Sequence, residues 1–397
     1  MHAFKSVKQR YRPSPEILEL LEAFRAMVND CIRIGLKGNT TSIRMLSLKA
    51  YHQLETYNVA TCYRLTAISK ASSILRNYHR SFRKNPCTRI PNATKLMLTD
   101  CYGFRIEGGR LRLTIRRGEY VYLSLNNHTE AVSSTYTPRS ITLTAVTLSI
   151  AYSKENDEME PVGLMGIDRN LDNITIATSF GEIKRYYLSL AARIKATYRE
   201  VKSHFGRNDV RLRREVYRKY GTLESNRVKQ ILHHASKDIV NKAKTEKLGI
   251  VMENLKGIRK LYRKGGGQGR NYRARLNSWS FYELQRQVEY KARWEGIPVH
   301  YVPPHRTSSS CAICGSQITE CAERRVWCHQ CRAFVDRDEN AARNILAKGG
   351  LRFGPVGRSC EAVKRNGTTT LILGADGRQS RRRESCPEDL VEPPKGI

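Results

Sequence analysis

Residues 162–187 read VGLMGIDRNLDNITIATSFGEIKRYY, and the spacing of apolar and turn residues in this stretch decides the fold. Val162 to Ile167 is an apolar run suited to a strand. A turn at Leu171 to Asn173 follows, and Ile174 to Thr178 and Glu182 to Tyr187 supply a second and a third strand. Three strands joined by tight turns predict an antiparallel meander. Asp168 then stands at the end of the first strand, where a side chain leaves the sheet.

Working outward, Leu190 to Lys247 carries apolar stripes such as Val228, Ile231, Leu232, Ala235 and Ile239, interrupted near Gly206 to Asp209, and reads as a helical hairpin. Leu248 to Met252 is continuously apolar, as a strand buried on both faces beside a parallel neighbour must be. Ser280 and Glu283 have the spacing of a capping box for a helix that ends at Gly296, and Pro298 to Val302 is a fifth strand. The order βββαβαβ predicts an α/β class, with an RNase H-like mixed five-stranded sheet over residues 161–305 and 335–347.

Upstream, Ser14 and Pro15 mark a helix start, and apolar positions Ile17, Leu21, Phe24, Val28 and Ile32 recur at helical spacing. Further helical patterns cover Ser42 to Tyr57 and Thr61 to Arg83, so residues 13–90 read as a small helical module. Residues 1–12 and 95–155 alternate with period two, as in Leu111, Leu113 and Ile115, and predict a β module resembling a small barrel completed by the N-terminal strand. Residues 348–397 are rich in Gly, Arg, Ser and Pro and read as a basic, mostly disordered tail, apart from Leu371 to Leu373.

Lysine and arginine total 70 against 37 acidic residues in 397, a formal charge of +33, and the cations run through the whole length. A polyanion is the expected partner, which disfavours an enzyme of small metabolites. At the end of the helical module Arg76, Tyr78, His79, Arg80, Phe82, Arg83 and Lys84 interleave cations with rings, a composition suited to nucleic-acid phosphates and bases. The same pattern also fits an amphipathic helix with its rings on the core. No apolar run approaches the roughly 20 residues that cross a bilayer, and no signal peptide opens the chain, so a cytoplasmic, nucleoid-associated protein is expected.

Of 11 cysteines, only Cys311, Cys314, Cys328 and Cys331 form two C-x-x-C pairs. Two thiolate pairs at this spacing predict a tetrahedral structural zinc ribbon over residues 306–334. Cys321 and His329 lie in the same region, but the paired spacing leaves no vacancy for them. Asp168 and Glu253 each follow an apolar strand, and parallel pairing of those strands puts both carboxylates at one sheet edge. Asp338 opens a helix, with Asp336 and Glu339 spaced as a cap that leaves Asp338 free. Three such carboxylates suit two Mg²⁺ or Mn²⁺ ions about 3.5 to 4 Å apart and in-line phosphodiester chemistry.

Gly166-Ile167-Asp168, Val251-Met252-Glu253-Asn254-Leu255, Thr307-Ser308 before Cys311-x-x-Cys314-Gly315, Cys328-x-x-Cys331, and Asp338-x-Asn340-Ala341-Ala342-x-Asn344-Ile345 together resemble the TnpB family. These are insertion-sequence proteins related to the type V CRISPR effectors. Asn170 stands where many members carry glycine. The resemblance implies a RuvC-type core with Asp168, Glu253 and Asp338 as catalytic acids, zinc on the four cysteines, and a recognition lobe and a wedge domain in the N-terminal half. It further implies an RNA guide from the mobile element that directs cleavage of DNA beside a short flanking motif. Strand-transfer transposition would use the same acids, and a guided DNA-binding repressor is the non-enzymatic alternative.

Overall fold

The computed structural model describes residues 2–205, 209–258, 267, 269–353, 369–373 and 379–383. The chain divides into two compact units, His2–Glu155 and Asn156–Ile397.

The N-terminal unit runs β1 (His2–Arg10), α1 (Pro15–Lys37), α2 (Ile43–Ala50), α3 (Cys62–Phe82), β2 (Met97–Asp100), β3 (Phe104–Glu107), β4 (Arg110–Arg116), β5 (Glu119–Ser124), α4 (Asn127–Thr135), β6 (Thr137–Thr144) and β7 (Thr147–Glu155). The stripe Ile17, Leu21, Phe24, Val28 and Ile32 is buried, as helical spacing requires of a core face. The helical pattern over Ser42 to Tyr57 tightens to a 3-10 turn at His52–Thr56, which buries Leu54. The strands form two antiparallel sheets, ordered β1-β7-β6-β2 and β3-β4-β5, with the N-terminal strand at the edge of the first.

The second unit begins with β8 (Gly163–Arg169), β9 (Asn173–Thr178) and β10 (Ile183–Tyr187), the expected meander, followed by α5 (Ser189–Ser203) and α6 (Val210–Thr245). Then come β11 (Leu248–Glu253), α7 (Arg270–Asn277), α8 (Phe281–Trp294) and β12 (Val299–Val302). A small three-stranded sheet, β13 (Thr319–Glu320), β14 (Arg325–Cys328) and β15 (Ala333–Asp336), precedes α9 (Arg337–Phe353). The main sheet has the order β12-β11-β8-β9-β10, with β8, β11 and β12 parallel and β9 antiparallel between β8 and β10. This five-stranded mixed sheet resembles that of RuvC and RNase H. Two further strands, β16 (Thr369–Leu373) and β17 (Gln379–Arg383), extend it beyond β10, within the stretch whose composition reads as mostly disordered. The rest of that stretch past Phe353 lies outside the described residues.

Alternation along the strands assigns each face. Met165 and Ile167 of β8 and Leu248, Ile250 and Met252 of β11 pack with Leu232, Ile239 and Val240 of α6 and Leu284 and Val288 of α8. Leu164 and Val251 face the other way, onto Ile345 and Leu346 of α9. Helix α8 does not start with the expected capping box. Ser280 Oγ instead accepts from Lys195 Nζ at 2.5 Å, and Glu283 pairs with Arg286 at 2.8 Å, so a cation distant in sequence has claimed the capping hydroxyl.

Helix α9 lies close on the sheet because two glycines make room. A Cβ on Gly166 would stand 2.5 Å from the Ala342 carbonyl oxygen and 2.6 Å from the Leu346 nitrogen, and one on Gly349 would meet Val251 Cγ2 at 2.4 Å. The obstacle at Gly166 is helix backbone, which cannot rotate away. Gly166→Ala is expected to destabilise the second unit by about 2–3 kcal/mol, the scale of core overpacking, read as a lowered denaturation midpoint in urea. An unchanged midpoint would show that α9 does not rest on β8 as described.

Candidate active site

The face assignment fixes where the acids go. Asp168 shares the parity of Leu164 and Gly166, and Glu253 that of Val251, so both side chains leave the sheet on the α9 face. The parallel register pairs Val251 with Gly166 and Met252 with Ile167, which brings Glu253 level with Asp168 at the C-terminal ends of adjacent strands. Asp338 lies in the first turn of α9, over the same ends. The three carboxylates are thus brought together, and they are 7%, 8% and 2% exposed in the order Asp168, Glu253, Asp338.

Each carboxylate is oriented by a side-chain donor of its own. Asn170 Nδ2 donates to Asp168 Oδ2 at 2.6 Å, Thr307 Oγ1 to Glu253 Oε1 at 2.5 Å, and Asn173 Nδ2 to Asp338 Oδ2 at 2.9 Å. Arg324 grips Asp338 with two donors, Nε to Oδ2 at 3.1 Å and Nη2 to Oδ1. Asp336 is engaged structurally: its Oδ1 accepts from the Asp338 and Glu339 amides at 2.9 and 3.0 Å and from Arg185 Nη2 at 2.5 Å. Glu339 does not complete a capping box, because it turns to Arg343 instead.

Crowding like charges out of water shows in the titration of Asp168. Burial pushes its carboxyl up to about 7, and the Glu253 and Asp338 charges push in the same direction. Among the described residues no donor reaches Asp168 Oδ1 or Glu253 Oε2. Hard carboxylate oxygens with open lone pairs, and a local excess of negative charge, fit a divalent cation such as Mg²⁺.

The four paired cysteines also converge. Their Sγ atoms all lie within 4.8 Å of one another, with Cys311 and Cys331 at 3.8 Å and Cys314 and Cys328 at 3.4 Å. A tetrahedron of thiolates about 2.3 Å from zinc has edges near 3.8 Å, whereas a disulfide needs about 2.05 Å, so the donor set fits a structural metal ion. Hydrogen bonds from Ser316 pull the Cys314 thiol down to about 6, toward the thiolate that metal binding requires. Cys321 and His329 stay outside this cluster.

Sequence reasoning missed Arg324, Asn173 and the role of Thr307. Arg324 sits where two successive non-glycine residues, Glu323 and Arg324, have φ of 57° and 60°, a conformation with no local signature in their side chains. Asn170, conspicuous in the sequence only as a departure from glycine, is the Asp168 donor. Arg76, Tyr78, Arg80, Arg83 and Lys84 lie at the C-terminal end of α3 in the other unit. There the four cations are exposed, while Tyr78 is half-buried with its ring 5.7 Å from that of Phe82.

Comparison with known proteins bears on this arrangement. The family described as Cas12f1-like, TNB domain, matches residues 281–345, from α8 through the cysteine cluster into α9. A TnpB-like protein of Methanocaldococcus jannaschii is 39% identical over 130 residues, 33% of this chain and 46% of that protein. The CRISPR-associated endodeoxyribonuclease Cas12f1 of Sulfoacidibacillus thermotolerans is 34% identical over 116 residues, 28% of this chain and 25% of that protein. Over these stretches the chain is similar to TnpB-like and Cas12f proteins. It spans less than half the length of these two relatives. At the level of fold, the chain is similar to the Cas12f1 chain of a Cas12f1–sgRNA–target DNA complex, with a TM-score of 0.56 over 83% of this chain and 81% of that one, at 15% identity. Among the described residues, no helix of the chain is long and apolar enough to cross a membrane.

The raised Asp168 carboxyl has a definite stability signature. Its folded value near 7 exceeds the unfolded value near 3.9, so the metal-free fold holds this proton longer and loses stability as pH rises from about 4 through 7. Asp168→Asn is therefore expected to raise the melting temperature of metal-free protein at pH 8, with the gain shrinking toward zero as pH approaches 4. A gain independent of pH, measured by calorimetry in a chelating buffer, would contradict the shift.

Proposed function

We propose that this chain is an RNA-guided, metal-dependent DNA endonuclease of a transposable element, with Asp168, Glu253 and Asp338 holding two Mg²⁺ or Mn²⁺ ions and zinc bound by Cys311, Cys314, Cys328 and Cys331. The observation that carries this reading is the convergence of three buried carboxylates at one end of a RuvC-like sheet, each oriented by a separate donor. The Cas12f1 relative is named an endodeoxyribonuclease, which supports DNA as the substrate. The similar Cas12f1 fold was solved with an sgRNA and a target DNA bound, which supports an RNA guide. The charge of +33 suits a chain that binds two nucleic acids.

When bound, the divalent pair supplies an activated water on one side of the scissile phosphate and stabilisation of the leaving 3′ oxygen on the other. The chain's own residues prepare that chemistry. Asn170, Thr307 and Asn173 fix the carboxylate planes, so that no reorganisation is needed when substrate arrives. Arg324 offers a guanidinium beside Asp338, a cation placed to meet a phosphate oxygen and to temper the carboxylate charge. Asp168 must lose its proton before it can ligate, so activity rises with pH up to about 7.

At the end of α3, Arg76, Arg80, Arg83 and Lys84 contact nucleic-acid phosphates, and Tyr78 supports them. Replacing the four cations by Gln is expected to reduce the salt dependence of RNA binding by about 3 in log–log slope, since each lost single-strand contact removes about 0.7. An unchanged slope removes this helix end from the interface.

The decisive experiment sequences RNA copurified with the protein and incubates the complex with DNA matching that RNA in Mg²⁺. Cleavage is expected, with Asp168→Ala slower by at least about 10³-fold. Free 5′-phosphate ends report hydrolysis, and joined strands report transfer. If no RNA copurifies, or if Asp168→Ala cuts at the normal rate, the proposal is wrong.

A further inference from the structure

The cysteine cluster and the carboxylates are connected by a short chain of hydrogen bonds that runs from Thr307, the donor to Glu253, through two asparagines of α9 that have no role in the chemistry above. Thr307 enters the ribbon and is only 3% exposed. Its hydroxyl lies 2.5 Å from Glu253 Oε1 and 2.9 Å from the Pro304 carbonyl, and the single proton favours the nearer, charged acceptor. Asn344, on α9, donates from Nδ2 to the Thr307 carbonyl at 2.8 Å and to the Ser310 carbonyl at 2.7 Å. Asn340, one turn earlier and fully buried, donates to the Ser310 carbonyl at 2.8 Å and accepts from the Ala312 amide at 2.8 Å. Asn340 therefore clasps both flanks of Cys311, a proposed zinc ligand, from the helix that also carries Asp338.

We propose that Thr307, Asn340 and Asn344 are positioning residues that make the Glu253 carboxylate's grip on its divalent ion depend on a folded zinc knuckle. With the knuckle closed on zinc, residues 310–312 are fixed, both asparagines are satisfied, and Thr307 is held where its hydroxyl sets the Glu253 plane. With the knuckle open, nothing fixes the Cys311 segment, the clasp loses its partners, and Thr307 is released. The zinc knuckle then conditions the Glu253 side of the carboxylate site through Thr307, beside the separate contact that Arg324 makes with Asp338. Outer donors of this kind change metal affinity by about 10- to 100-fold when removed.

The inference rests on the carboxylate reading of the preceding subsection, and the test separates the two. Mn²⁺ binding to the full chain, without nucleic acid, is followed by the electron paramagnetic resonance signal of free Mn²⁺, with zinc content and melting temperature recorded for every sample. Thr307→Val, which keeps the shape and removes the hydroxyl, is expected to bind Mn²⁺ about 10-fold more weakly at normal zinc content, while Thr307→Ser stays within about 2-fold of the parent. In an Arg324→Ala background, which removes the ribbon's other contact with the acids, stripping zinc gives a loss of similar size, and stripping it from Thr307→Val in that background adds little, because both then act through one bond. Should Thr307→Val fail to fold, Asn344→Ala, which removes two donors and touches no carboxylate, is expected to show the same loss. Parent-like Mn²⁺ affinity in the folded variants, or full affinity in the zinc-free parent, overturns the coupling while leaving the carboxylate site standing. If the parent binds no Mn²⁺ that Asp168→Ala abolishes, the carboxylate reading fails and the coupling falls with it.

Discussion

Asp168, Glu253 and Asp338 are each nearly withdrawn from water, and keeping three carboxylates so is a demand that the packing around them must meet. Two like charges 5 Å apart repel by about 3 kcal/mol even at an effective dielectric of 20, and burial adds a solvation loss to each. The fold answers locally. Asp168 retains its proton to about 7, Arg324 binds Asp338, and the fully enclosed Arg169 places a second guanidinium nearby. Arg169 donates to the Glu253 carbonyl and to Gln285, so its charge sits behind the carboxylates while its hydrogen bonds tie the end of β8 to β11 and α8. These devices reduce the repulsion without neutralising it, and the remaining negative potential is what a divalent ion would relieve.

That electrostatic demand explains the close packing of α9. A carboxylate cluster gains field strength only where water is excluded, and exclusion on this face depends on one helix. Gly166 and Gly349 let α9 descend until Ala342 and Ile345 are fully buried, which carries Asp338 down to the level of Asp168. A side chain at Gly166 would lift the lid and separate the acids in one step. The Gly-Ile-Asp sequence is therefore a single mechanical unit, in which the first residue admits the helix and the third meets what the helix carries.

Most of this was legible from the chain alone, for a physical reason. The central strands are continuous apolar runs, strand parity and parallel pairing are local consequences of that pattern, and together they bring Asp168 and Glu253 to one edge. The cysteine pairs are equally local. What escaped was set by competing partners that local spacing does not rank, several of them far away in sequence. Ser280 has the spacing of a cap but is held by Lys195, and Glu283 turns to Arg286. Arg324 reaches Asp338 from a left-handed turn that neither of its residues announces. The short helix α7 and the added strands β16 and β17 lie in Gly- and Arg-rich stretches with little apolar periodicity to reveal them.

The position of the cysteine cluster follows from the same logic. Between β12 and α9 the chain makes a long excursion whose own core, among the described residues, consists of Cys311, Ile318, Val326 and Cys328, with Cys331 and Val335 alongside. Ordering each backbone residue costs about 1–2 kcal/mol, more than so few apolar side chains can offset, so a loop of this length would stay mobile without further anchoring. A four-thiolate zinc site contributes about 10–16 kcal/mol in small metal-dependent domains, enough to reverse that balance. The excursion then becomes a rigid arm that returns Thr307 to Glu253 and Arg324 to Asp338. Glu253 and Asp338 thus each take a donor from a segment that has too little core of its own, so the geometry of the carboxylates rests in part on whatever orders that segment.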